Sequence, residues 1–135
     1  MGNLGVVASD PRRVERLVSR LSPIVREIIE GKTELWLHDE QRVGRSIKGW
    51  DIFNCLTYAG LLSGCVRVHE LRDIQSMGVG FFRQYFAGRK VFGWRTPGGD
   101  HRVSFICDGR DKVLLGWGSL EDFLFGDSPA LRILE

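Results

Sequence analysis

Residues 89–119 read RKVFGWRTPGGDHRVSFICDGRDKVLLGWGS, and the apolar positions in this stretch recur mostly at every second residue, with glycines placed between the runs. A period of two is the mark of strands with one face buried. Val91 to Trp94 and Arg102 to Cys107 flank Thr96-Pro97-Gly98-Gly99, while Asp108-Gly109 turns the chain into a third run, Lys112 to Leu115. The pattern predicts an antiparallel sheet. Beyond it, Ser119 and Asp122 have capping-box spacing, which predicts a one-turn helix over Leu120 to Phe125 before a last strand at Leu131 to Leu134.

Toward the N-terminus the period changes to that of a helix. Asp10-Pro11 supplies an N-cap followed by proline, and Val14, Leu17, Val18 and Leu21 repeat at helical spacing. Ser22-Pro23 restarts the signal for a face of Ile24, Val25, Ile28 and Ile29 that ends at Gly31. Thr33 to Leu37 alternates and fits a short strand, and residues 38–49 read as an exposed loop. Asp51 is placed to cap a helix bearing Ile52, Phe53, Leu56, Ala59 and Leu62, closed by Gly64. Residues 65–68 fit another short strand, followed by small helices through Leu71, Ile74 and Met77 and over Phe81 to Phe86. The expected architecture is α+β: N-terminal helices packed on a small C-terminal antiparallel sheet. Its 135 residues set the expectation of one domain, helical over about 10–88 and sheet over about 89–135.

Composition narrows the function classes. Apolar residues make up 43% and charged residues 27%, which is ordinary for a folded globule. A net charge of +2 is too small to imply a polyanion partner. Fifteen of the nineteen basic residues are Arg, however, which favours planar, bidentate contacts to carboxylate or phosphate. Three Cys cannot all pair within one chain, and the polar, then arginine-rich N-terminus lacks a secretory leader, so a reducing, cytoplasmic compartment is expected. No apolar run approaches membrane-spanning length. The Cys and His residues show no local metal-ligand pair and no glycine motif fits a phosphate loop, so neither a metal nor another cofactor is expected.

Thiolate chemistry needs a Cys of depressed pKa and a base to take its proton. With Asp51 as the cap, Cys55 falls in the first turn of its helix, near the positive end of the dipole. His101 opens a strand after a glycine-rich turn, on the side shared by Val103, Phe105 and Cys107. The segments Asp51-Ile52-Phe53-Asn54-Cys55-Leu56-Thr57-Tyr58-Ala59 and Gly99-Asp100-His101-Arg102-Val103-Ser104-Phe105-Ile106-Cys107 resemble the nucleophile helix and the histidine strand of papain-like cysteine proteases. The likeness is to the small viral leader proteases that release themselves from a polyprotein. It implies a Cys55 nucleophile with His101 as base and then acid, and Asn54 as a supporting oxyanion donor. Trp50 and Trp94 would wall the substrate groove, and the substrate would be a peptide junction in the same polyprotein, inside an infected host cell. Leu56 stands where leader proteases carry an aromatic. The strand after His101 offers no orienting Asp or Asn, so the implied unit is a dyad.

A second class of function rests on arginine. Arg12, Arg13, Arg16 and Arg20 can share a helical flank, Arg42, Arg45 and Lys48 follow in a loop, and Arg83, Arg89, Lys90 and Arg95 surround Phe92 and Trp94. Cations beside aromatic rings suit exposed bases. The same chemistry makes protein hot spots, so an RNA- or protein-binding domain without catalysis, directed for example at a host protein, is the alternative expectation.

Overall fold

The computed structural model describes residues 21–95 and 101–134. The expected first helix with Arg12, Arg13, Arg16 and Arg20, and the turn at Thr96 to Gly99, lie outside the described residues.

Helix α1, Pro23–Ile29, begins where its sequence says it should: the Ser22 side chain accepts from the Val25 N–H, proline follows the cap, and Gly31 leaves the helix at φ 73°. Strand β1 is Thr33–Trp36. The expected loop at 38–49 instead holds a single-turn helix, α2 (Asp39–Arg42), capped by His38, and a two-residue strand, β2 (Ile47–Lys48). Helix α3, Gly49–Tyr58, follows without a break, and a 3-10 turn spans Leu62–Gly64. Helices α4 (Val68–Gln75) and α5 (Val79–Phe86) lead into β3 (Lys90–Gly93), β4 (Arg102–Asp108) and β5 (Val113–Ser119). A short β6 (Phe123–Leu124) replaces the expected helix at Leu120 to Phe125, and β7 (Ala130–Ile133) ends the described chain.

The sheet corrects the expectation of a purely antiparallel, C-terminal unit. Its order is β1-β7-β3-β4-β5, so an N-terminal strand forms one edge, and β3 meets β7 in parallel. Where a strand was expected at 65–68, only Cys65 makes an isolated bridge, to Arg132, beside a Val66 N–H bond to the Leu131 carbonyl. A separate ribbon pairs β2 with β6. The reason is alternation on both sides of the same strands. Val91, Ile106 and Leu131 face α1, α4 and α5, where they pack with Ile24, Leu71, Ile74 and Phe82. Phe92, Trp94, Val103 and Ala130 face α3 and the ribbon, where they pack with Ile52, Leu56 and Ile47. A sheet buried on both faces needs a cover on each, and α3 with the ribbon is the second cover.

The start of α3 shows how tightly that cover is fitted. Lys48 precedes the helix without a side-chain cap, and the Gly49 and Trp50 N–H groups donate instead to the carbonyls of Asp122 and Leu120, each at 2.9 Å. A Cβ at Gly49 would come within 2.9 Å of the Leu120 carbonyl oxygen, so the close approach requires glycine. Helix α3 thus starts two residues before Asp51, and its N-terminus is satisfied by the loop leading into β6.

Candidate functional site

The shifted helix start relocates Cys55. It is the seventh residue of α3, not a first-turn residue, and in an α-helix its N–H is used by the carbonyl four residues back. The dipole and free donors that would favour a thiolate are confined to the first turn. Cys55 is half-buried and Asn54 exposed on the same helix.

His101 sits beside Trp50 of α3. Its ring centroid is 5.0 Å from that of Trp50, and its carbonyl accepts from the Leu120 N–H at 3.0 Å. Trp50 and Cys55 are five residues apart, so their Cβ atoms leave the helix roughly 140° apart, and the imidazole lies against the Trp50 ring at an interplanar angle of 55°. Among the described residues no hydrogen bond joins Cys55 to His101. His101 also has φ 64°, the one non-glycine residue in the left-handed region among those described.

Trp94, expected to wall a groove, is fully buried and stacks on Phe92 with ring centroids 6.0 Å apart. With Phe92 buried as well, the expected platform of Arg89, Lys90 and aromatic rings for stacked bases does not form. Lys90 extends over the half-buried ring of Phe105 instead. Arg42 donates to the Leu37 carbonyl, and Arg45 pairs with Glu40 at 3.4 Å.

The ribbon gathers exposed aromatics that the sequence reading had assigned to a helix. Phe123 in β6 and Phe125 just after it are 61% and 56% exposed. Lys48, opposite Phe123 in the ladder, holds its ammonium 5.8 Å from that ring and 3.5 Å from Glu121. The other Glu121 oxygen accepts from Trp50 Nε1 at 2.9 Å, and Trp50 meets Phe53 edge-on. At the far end Gln41, itself buried, donates to the carbonyls of Phe125 and Ser128. The signal in the sequence was Phe123-Leu124-Phe125, an apolar run with a ring at both outer positions.

Two shallow surface hollows, of about 340 and 360 Å³, are lined by residues of α1, β1 and α5 and by Gly88 to Lys90 with Cys107, Asp108 and Asp127. Neither is lined by Cys55 or His101. Among the described residues, no helix is long and apolar enough to cross a membrane, and no three His, Cys, Asp or Glu side chains are grouped to hold a metal ion. Compared with known proteins, the chain matches no family model, no curated protein and no solved structure.

Proposed function

We propose that the chain is a non-catalytic protein-binding domain whose contact surface is the aromatic strip of Phe123, Phe125, Trp50 and Phe53. The observation that carries this reading is the exposure of Phe123 and Phe125 within a frame of neutralised cations, Lys48 with Glu121 and Arg45 with Glu40. Exposed rings ringed by polar groups are the composition of a protein interface, with the energy concentrated in the aromatics. Phosphate contact instead needs cations that no carboxylate has already engaged.

Selection of a displayed random-peptide library on the full chain tests this. Peptides recovered on the native protein should lose roughly tenfold or more in affinity to Phe123→Ala, the cost of truncating a central interface aromatic. A short labelled RNA should show no steep loss of binding with salt. Peptides indifferent to Phe123→Ala, or RNA binding that falls steeply with salt, would overturn the proposal.

A Cys55–His101 hydrolase is the second reading, and the left-handed backbone at His101 favours it, because such conformations gather at functional sites. It requires the Cys55 thiol and the His101 imidazole to come within hydrogen-bond reach. Iodoacetamide at mildly acidic pH should then label Cys55 ahead of Cys65 and Cys107, and His101→Ala should abolish that preference. Equal, slow labelling of all three thiols removes this reading and leaves the first in place.

A further inference from the structure

We infer that two copies of this chain pair through the outer edge of β5, joining their sheets about a two-fold axis centred on Gly116. The argument starts from which backbone groups of β5 already have partners. In the β4–β5 ladder Cys107 faces Leu114, Phe105 faces Gly116 and Val103 faces Gly118. The bonds just beyond each end of the ladder, Gly109 N–H to the Lys112 carbonyl and Leu120 N–H to the His101 carbonyl, share that register. Alternation along an antiparallel pair then turns the N–H and C=O of Leu114, Gly116 and Gly118 toward β4, and those of Val113, Leu115, Trp117 and Ser119 outward.

Side chains cap this outward row at its two ends. Gln75 Nε2 donates to the Val113 carbonyl at 3.0 Å, and the Ser119 N–H donates to Asp122 Oδ2 at 3.0 Å. Between them, the backbone groups of Leu115 and Trp117 have no partner among the described residues. Val113 and Ser119 are equidistant from Gly116. Val113 keeps a free outward N–H, whereas the Ser119 carbonyl already accepts from the Asp122 N–H at 3.0 Å, so the open stretch runs from Val113 to Trp117.

A second, antiparallel β5 satisfies the unpartnered groups at its centre. Leu115 pairs with the other copy's Trp117 through both of its backbone groups, and Trp117 pairs with the other copy's Leu115 in the same way. Gly116 faces its own equivalent with no side chain in the way, and the exposed Leu114 lies opposite the other copy's Gly118. Charge agrees with this direction. The turn before β5 carries Arg110 and Lys112 around Asp111, the turn after it carries Glu121 and Asp122, and antiparallel pairing brings each basic turn to the other copy's acidic one. No charge interrupts Val113–Ser119 itself, unlike edges that are built to stay single.

Sedimentation of the full chain tests the inference. The native protein should run as a dimer, and Leu115→Pro as a monomer with an unchanged near-ultraviolet circular dichroism spectrum, because the lost N–H belongs to the outward row. Site-directed cross-linking covers the case in which that variant misfolds. Leu114→Cys and Gly118→Cys, each in a Cys107→Ser background, should form a disulfide when mixed and not when either is alone, since opposed non-hydrogen-bonded residues sit at about 4.5 Å between Cα atoms. A native chain that stays monomeric at high micromolar concentration, a dimer that survives in folded Leu115→Pro, or cross-linking without preference for the mixture would each overturn it.

Discussion

Strands β1 and β5 close the two edges of one sheet, yet β1 has four residues and carries Glu34, whereas β5 runs seven residues without a charge. Glu34 is tied to Arg132 of β7, which also donates from Nε to the Leu61 carbonyl at 3.0 Å, so β1 is fastened inward to the turn before Cys65. Strand β5 is held instead by shape: Phe105 fills the space over Gly116, and Arg102 stacks on Trp117. A short, charged edge resists pairing with another chain, and a long apolar one invites it. The contrast separates an edge tied into its own chain from one whose central backbone groups have no partner among the described residues.

The shape-held edge is broken most severely by adding bulk at Gly116. A Cβ there would stand 2.8 Å from Phe105 Cζ, closer than packed carbons approach, and the ring is confined by Phe92 at 5.1 Å between centroids. Gly116→Val should cost about 3 kcal/mol of unfolding free energy, measured by urea titration, because the overpacked ring must leave its site. The charge-held edge should yield less. Arg132→Ala removes the Glu34 pair and the Leu61 hydrogen bond, but Glu34 keeps 38% of its side chain exposed and can rehydrate. A loss of about 2 kcal/mol is expected on the same titration.

How far each edge was legible follows from the range of its interactions. Alternation marked β3, β4 and β5, and the Ser22-Pro23 and Gly31 signals marked α1, because each rests on residues within a few positions of one another. The place of β1 beside β7 depends on partners such as Glu34 and Arg132, 98 positions apart, and no local pattern encodes that. A two-residue strand has no period, so the β2–β6 ribbon was hidden. The true start of α3 was missed for the same reason: the carbonyls of Leu120 and Asp122 replace a capping side chain, and Asp51 offered a false local signal. The candidate site suffered most. The contact of His101 with Trp50, the burial of Trp94 and the exposure of Phe123 are all products of packing between segments that the sequence does not place side by side.

Alkali sharpens the comparison further, because Cys65 sits beside Arg132 at the β1 end of the sheet. Burial, only partly offset by Arg132, pushes its thiol up to about 11 from an ordinary value of 9.0. The folded chain therefore keeps a proton that the unfolded chain releases above pH 9. Stability from this source is complete below that point and is lost as pH climbs through 11. By about pH 10 the native protein should have lost roughly 1.4 kcal/mol that Cys65→Ala does not lose, read as the gap that opens between their stability–pH curves above pH 9.

The smallest expected effect distinguishes the two glycines of β5. At Gly118 a Cβ would meet its nearest atom, Asp122 Oδ2, at 3.6 Å, an ordinary contact, so alanine fits where valine at Gly116 does not. Gly118 has a negative φ, and replacing it narrows the unfolded ensemble without straining the strand. Gly118→Ala should accordingly raise the unfolding free energy by about 0.5 kcal/mol at protein concentrations low enough to keep the chain monomeric. A loss instead would mean that this glycine is needed within the single chain. With the gain in hand, any weakening of self-association in the same variant must arise at the β5 edge, where Gly118 would face the other copy's Leu114.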